Sequence, residues 1–204
     1  MPNRSPPTRY SAVAQGFHWL IAALIVLQFT LGWTAEELPL GARKLARLDW
    51  HKSFGMTILM LAVLRLMWRL FNRPPELPAD MTPIEKKLAR ATHVLFYVLL
   101  FVMPLTGWIM SSAKNYSVSW FHQFTWPNLI GPNEPAFDLL RTTHDTLSWL
   151  LFALALLHIL AALKHSIGSS QRSSLLNSRW VGRPSFCRWA RASSHAWIGT
   201  KASA

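Results

Sequence analysis

The sequence predicts an all-α membrane protein, a bundle of four transmembrane helices, and three observations support this prediction. The 204 residues are 51% hydrophobic, with 11 Trp against 3 Tyr, which is more apolar than an average soluble domain. Basic residues are concentrated in alternate connections between the apolar stretches. Four apolar stretches each approach the roughly 20 residues that a helix needs to cross a bilayer, and they are Phe17 to Trp33, Ser53 to Phe71, Ala91 to Met110 and Asp145 to Leu163.

The first stretch is predicted to be a retained transmembrane helix. A cleaved signal peptide is the alternative, since Arg4 and Arg9 precede the apolar run and Ala35 follows it. The run is long for the apolar part of a signal peptide, however, and it contains His18 and Gln28, which a segment that is removed does not need. We therefore expect helix 1 to belong to the bundle.

The second stretch follows His51 and ends in a basic segment. Arg65 and Arg69 lie 14 and 18 residues after His51, so all three share one helix face. Unpaired charges within a membrane helix are costly, so this face should meet an anionic group at its inner end. Gly55, one turn after His51, leaves space on the same face for a flat group.

The third stretch follows a proline-rich linker and precedes a long connection. The linker RPPELPADMTP should end at a helix that begins after Thr82 and Pro83, with Glu85 in its first turn. Residues 111–142 are then predicted to form a longer loop on the external side of the membrane. Its aromatic side chains suit a helix lying at the membrane surface, and they are Trp120, Phe121, Phe124 and Trp126.

The fourth stretch has a histidine near each end. His144 and His158 are 14 residues apart, nearly four helical turns, so they share one face about 21 Å apart along the axis. We place the end of the membrane domain at residue 168. Residues 169–204 are rich in Ser, Arg and Trp, and we expect them to be disordered or to lie on the membrane surface.

Charge predicts the orientation of the bundle. The formal net charge of +12 lies on the side that contains the N-terminus, the loop between helices 2 and 3, and everything after helix 4. Basic loops stay in the cytoplasm, so both termini should be cytoplasmic. Binding of nucleic acid is disfavoured, because the charge follows the topology and does not form a basic face with a known motif.

Depth then pairs the histidines at two levels. His18 and His158 fall near the cytoplasmic side, and His51 with His144 near the outer side; His93 is an alternative ligand at the inner level. Paired imidazoles inside a helix bundle are suited to the axial positions of a haem iron. Cys187 is the single cysteine and CxxCH is absent, which excludes c-type attachment. The pattern predicts two b-type haems, each with two histidine ligands, and Arg65 and Arg69 would pair with carboxylates of the inner haem.

Residues 9 to 165 resemble the bacterial cytochrome b561 family of the cytoplasmic membrane. The segments that carry the resemblance are RYSAVAQGFHWL, DWHKSFGMTILMLAVLRLMWRL, THVLFYVLLFVMPLTGWIM and THDTLSWLLFALALLHILAALKH. The resemblance implies the same axial ligands, His18, His51, His144 and His158. It also implies electron exchange with quinone, and oxidation of superoxide with ubiquinone as acceptor is a proposed activity of the family. The tail after His165 departs from the family pattern.

Three classes of function follow. The first is a quinone-linked oxidoreductase with an external donor such as superoxide. The second is a haem b anchor subunit that passes electrons from a partner dehydrogenase or hydrogenase to quinone. The third, a metal or proton transporter, is disfavoured because no membrane carboxylate accompanies the histidines. His165 lies two turns beyond His158, where it could relay protons to a quinone or anchor the helix end. A superoxide donor would arrive through the loop that contains Arg43, Lys44, Arg47 and Lys52.

Overall fold

The computed structural model describes residues 10–72, 75 and 81–181, with side chains as far as Lys164. Within these residues four helices are long and apolar enough to cross a membrane, as predicted. A short two-stranded sheet lies between the third and fourth helices. The elements in chain order are α1 (Ala12–Glu36), α2 (Ala42–Phe71), α3 (Pro83–Ala113), β1 (Val118–Trp120), β2 (Phe124–Trp126) and α4 (Glu134–Val181).

The helices extend beyond their apolar stretches. α2 begins at Ala42, 11 residues before its apolar stretch starts at Ser53, and α4 begins at Glu134, 11 residues before its apolar stretch starts at Asp145. The added segments, ARKLARLDWHK and EPAFDLLRTTH, are charged but contain good helix formers. At the start of α4, the Asn133 side chain accepts a hydrogen bond from the Ala136 amide at 3.0 Å. Hydrophobicity therefore locates the membrane-spanning part of each helix and misses the polar turns that precede it.

α3 begins where the sequence predicts and contains an internal proline. The Thr82 hydroxyl accepts from the Glu85 amide at 3.3 Å, and the Glu85 carboxylate accepts from the Thr82 amide at 2.9 Å. This reciprocal capping box fixes the start of the helix. Pro104 lies inside α3 and has no N–H to donate to the preceding turn. The helix nevertheless continues to Ala113, as membrane helices with proline commonly do.

The buried core is small, and much apolar surface faces outward. Ile21 of α1, Ile58 and Ala62 of α2 and Leu100 of α3 form the central cluster. Large apolar side chains such as Trp19 and Leu64 are exposed on the helices. In water such a surface would aggregate, whereas a bilayer solvates it. The exposed apolar faces agree with a multi-pass membrane protein.

The connection between α3 and α4 contains a β-hairpin, and the predicted surface helix is wrong. Trp120 pairs with Phe124 in an antiparallel register. Phe121 and His122 have φ of 48° and 58°, and the Gln123 amide donates to the Trp120 carbonyl at 2.9 Å. Two positive φ values in succession define the tight turn that joins twisted strands. β-Branched and aromatic residues in VSW and FTW favour strands over a helix.

Two ion pairs connect the outer helix ends. Arg141 of α4 contacts Glu36 of α1 at 3.1 Å, and Lys114, which caps α3, pairs with Glu134 at the start of α4. The hydrogen bond with Glu134 raises the pKa of Lys114 above its usual value. Glu134 also carries a negative charge in the first helical turn, where the helix dipole favours one.

The chain divides into two compact units, Met1–Leu156 and Leu157–Ala204. The backbone of α4 is helical as far as Val181, beyond the boundary at residue 168 that the sequence predicts. Residues 182–204 of the predicted disordered tail lie outside the described residues. The division into a membrane domain and a tail therefore stays a prediction.

Candidate haem-binding site

The structure brings His51 and His144 together inside the first unit. His51 lies nine residues into α2 and His144 ten residues into α4, so the two helices carry their histidines at closely similar distances from their starts. The imidazole centroids are 6.3 Å apart, and the ring planes make an angle of 71°. This is the outer pair predicted from depth.

A glycine supports each ring. A Cβ at Gly32 in α1 would lie 3.4 Å from Cε1 and 3.6 Å from Nδ1 of His51. A Cβ at Gly107 in α3 would lie 3.3 Å and 3.6 Å from the same two atoms of His144. Each imidazole thus rests against a helix backbone that has no side chain at the point of contact. The close contacts restrict where each ring can lie.

Polar groups around the two rings differ. The Thr106 hydroxyl lies 3.0 Å from Nδ1 of His144 and donates to the Met103 carbonyl at 2.8 Å. Nδ1 of His51 is buried, and none of the described residues forms a hydrogen bond with it. On the backbone side, the Gln28 amide donates to the His51 carbonyl at 3.0 Å.

Gly55 accommodates Gln28 in the structure. A Cβ at Gly55 would lie 3.0 Å from Nε2 of Gln28, which is tighter than most real Cβ contacts. The space over Gly55 is therefore occupied by the Gln28 amide, which crosses from α1 to α2. The predicted contact between Gly55 and a haem stays a prediction.

The outer pair fits an iron porphyrin. The two imidazole centroids are 6.3 Å apart, close enough for both rings to bind one iron. Within the described residues no three His, Cys, Asp or Glu side chains form a metal-binding group. A haem requires only the two axial ligands, because its macrocycle supplies the others.

The inner pair is divided between the two compact units. His18 in α1 is half-buried, and its ring meets Trp19 edge-on at a centroid distance of 5.3 Å. His158 in α4 is also half-buried and belongs to the second unit. Their pairing around a second haem is untested and stays a prediction.

Arg65, Arg69 and His165 are the remaining residues that the sequence predicts for the site, and His122 is a further histidine of the chain. The guanidinium groups of Arg65 and Arg69 lie 5.8 Å and 5.4 Å from the centroid of the Tyr97 ring, close enough for cation–π attraction. Their predicted pairing with haem carboxylates stays a prediction. His122 is exposed in the hairpin turn. The proposed relay residue His165 has a side chain outside the described part of α4.

Comparison with known proteins decides the family. The family described as Prokaryotic cytochrome b561 matches residues 9–176. The chain belongs to the prokaryotic cytochrome b561 family. It is 31% identical over 160 residues to "Cytochrome b561 homolog 2" of Escherichia coli (strain K12), covering 78% of this chain and 85% of the relative. It is 27% identical over 161 residues to "Probable superoxide oxidase CybB" of Yersinia pestis, covering 77% and 88%.

Membership of the cytochrome b561 family confirms the recognition made from the helix segments. It implies a b-type haem and electron transfer in a bacterial membrane. Four residues beside the outer pair were not predicted from the sequence to belong to the site. They are Gln28, Gly32, Thr106 and Gly107. The two glycines gave a usable signal, since each interrupts an apolar stretch at the outer level. The sequence gives no such signal for the roles of Thr106 and Gln28 at the site, because these roles depend on how the helices face one another.

This cytochrome b561 has a groove between the end of α1 and the start of α2. Its lining combines apolar side chains with two cations, and it consists of Leu31, Leu38, Arg43, Ala46, Arg47 and Trp50. The other two cations of the predicted entry loop are engaged locally. Lys44 donates to the Leu38 carbonyl at 3.2 Å, and Lys52 pairs with Asp49 at 2.9 Å.

Proposed function

We propose that this protein binds two b-type haems and carries electrons across the cytoplasmic membrane to quinone. His51 and His144 would bind the outer haem, and His18 and His158 the inner one. The observation that carries the proposal is the half-buried outer pair, with centroids 6.3 Å apart and a glycine against each ring. Haem supplies one-electron chemistry when bound. The chain supplies the axial nitrogens and an apolar surrounding.

The finer proposal is a superoxide:ubiquinone oxidoreductase. Each superoxide gives up one electron and becomes dioxygen. Two superoxide ions therefore reduce one quinone, which takes up two electrons and two protons to become the quinol. The relative from Yersinia pestis, named as a probable superoxide oxidase, supports this choice of donor, and ubiquinone is the expected acceptor.

The groove between α1 and α2 offers a route for an anionic donor. Arg43 and Arg47 are both exposed at its wall. Clefts lined by one sign of charge raise the encounter rate with an opposite charge. Arg47 also hydrogen-bonds to Thr34 of α1, which holds its guanidinium beside the groove. We expect superoxide to approach the outer haem from this side.

Proton delivery belongs to the other side of the membrane. His165 follows Lys164 by one residue and His158 by seven, which places it nearly two turns farther along α4. An imidazole titrates near neutral pH, with an unperturbed pKa of about 6.5. His165 would deliver protons to a quinone beside the inner haem, with Arg65 and Arg69 paired to that haem's carboxylates.

Haem content of the purified chain tests the proposal. The wild-type protein should contain two haems per chain, and His144→Ala should contain one, because the inner ligands are about 20 Å away. His122→Ala, which changes the exposed histidine of the hairpin, is the matched control and should keep two. Retention of both haems by His144→Ala would refute the outer assignment.

The same preparation separates the oxidoreductase from the anchor subunit. Superoxide should drive quinone reduction by the single chain, and neutralising Arg43 and Arg47 to Gln should lower both the rate and its dependence on salt. His165→Ala should slow quinone reduction while haem reduction persists. A chain with two haems that is inactive with superoxide would favour the anchor subunit of a partner dehydrogenase or hydrogenase.

A further inference from the structure

The two outer histidines rest on equivalent supports that differ in one residue. Gly32 lies against His51 and Gly107 against His144, at distances that agree within 0.1 Å. The residue before the glycine is Leu31 in α1 but Thr106 in α3. Of these two positions, only residue 106 carries a hydroxyl, and this hydroxyl lies beside His144.

Thr106 is placed to act as an acceptor for His144. Its side chain is buried, with 8% of the residue exposed. A hydroxyl has one proton to donate, and the Thr106 hydroxyl donates it to the Met103 carbonyl at 2.8 Å. Its oxygen lies 3.0 Å from Nδ1 of His144. When its proton is donated to the Met103 carbonyl, this oxygen is an acceptor, and the arrangement fits the tautomer of His144 that carries hydrogen on Nδ1.

We propose that Thr106 is a positioning residue that sets the tautomer and the donor strength of His144. A proton on Nδ1 leaves Nε2 with a free lone pair, which is the form that binds a metal. The hydrogen bond from Nδ1 to Thr106 also makes the imidazole a stronger electron donor. His51 has no such partner among the described side chains, since its Nδ1 makes no hydrogen bond.

The two histidines would then be unequal ligands of the outer haem. This inference rests on the proposed function, because it requires that His51 and His144 bind the haem. A stronger imidazole donor stabilises the oxidised iron and lowers its reduction potential, which is one of the ways a protein adjusts haem chemistry. Thr106 would thereby favour passage of an electron from the outer haem towards the inner one.

Redox titration of the full-length protein in membranes tests the inference. Thr106→Val keeps the shape of the side chain and removes the hydroxyl. The equilibrium between the oxidised and reduced outer haem should shift about tenfold towards the reduced form. For a one-electron couple this corresponds to a reduction potential about 59 mV higher. The inner haem should be unchanged. Thr92→Val is the matched control, since the Thr92 hydroxyl donates to the Leu88 carbonyl of its own helix at 2.9 Å.

Thr106→Ser keeps the hydroxyl and serves as the second variant. Wild-type haem content and potential in Thr106→Ser would support the inference even if Thr106→Val assembled poorly. An unchanged outer potential in a haem-loaded Thr106→Val protein would overturn it, and so would an equal shift in Thr106→Ser. Failure of the haem assignment itself would be seen separately, as two haems retained by His144→Ala.

Discussion

Gly107 brings the backbone of α3 against the His144 ring. An added Cβ would lie 3.3 Å from Cε1 of the imidazole, a separation that requires the ring to move by a few tenths of an ångström. Alanine is about 1 kcal/mol more favourable than glycine in a helix interior. Replacing Gly107 with alanine should therefore stabilise the helix and at the same time displace the His144 ring.

We predict that Gly107→Ala lowers the content of the outer haem without destabilising the protein, and that Gly107→Val abolishes that haem. The ring must shift for the first Cβ and has no room for two further methyl groups. Haem per chain and thermal unfolding measure the two effects. Gly16→Ala is the control, since nothing lies within 4 Å of a Cβ at Gly16. Full haem content in Gly107→Val would show that this contact is unimportant.

The sequence predicted the histidines at this scale but not their surroundings. Depth along each helix requires only counting from the membrane boundary, and it placed His51 and His144 together. The roles of Thr106 and Gln28 depend on helix rotation and on which helix faces which. Helix α1 is apolar on all sides, so its pattern does not define a face. Gln28 is polar within that helix, but its sequence position does not reveal that it reaches the His51 carbonyl.

At the scale of the element, the hairpin is joined to α2 two residues beyond His51. Ser53 is buried, and its hydroxyl accepts from the Phe121 amide at 3.1 Å and lies 2.9 Å from the Ser119 carbonyl. Trp120 adds a hydrogen bond from its indole nitrogen to the Thr57 hydroxyl at 3.1 Å. The hairpin is thus held by side chains of the helix that carries one of the proposed ligands.

We predict that Ser53→Ala loosens the hairpin while the helices persist. The substitution leaves the Phe121 amide without its acceptor, which costs about 1–3 kcal/mol. Cleavage by a protease specific for aromatic residues within 118–126 should accelerate about 5–150-fold. Ser148→Ala is the matched control, because the Ser148 hydroxyl bonds only to the Asp145 carbonyl within α4 at 2.7 Å. Equal cleavage of the two variants would contradict the prediction.

Elements were predicted well in their apolar parts and poorly elsewhere. All four spans were found, because a long apolar run has few alternatives to a membrane helix. The hairpin was mistaken for a surface helix, since aromatic residues suit both at an interface. Its turn places Phe121 and His122 at positive φ. Neither residue type is enough by itself to predict this backbone conformation.

At the scale of the whole molecule, the distribution of charge predicts the orientation of the protein in the membrane. A reporter fused after Ala204 should be cytoplasmic, and one inserted in the 111–142 loop should be external, because Lys and Arg are retained on the cytoplasmic side. A reporter in the loop between α1 and α2 should also be external, which provides an independent check. The opposite pattern would reverse the levels assigned to the two histidine pairs and move the donor groove to the cytoplasm.

The contacts of Gly32 with His51 and of Gly107 with His144 have a consequence for biogenesis. Each contact joins a helix to the next helix in the chain, α1 to α2 and α3 to α4. A ribosome delivers these partners to the membrane one after the other, so each histidine can find its glycine before the rest of the protein is made. Two inserted helix pairs would then present one imidazole each. Capture of a single haem between them would complete the outer half of the protein, which makes cofactor supply a late step in its assembly.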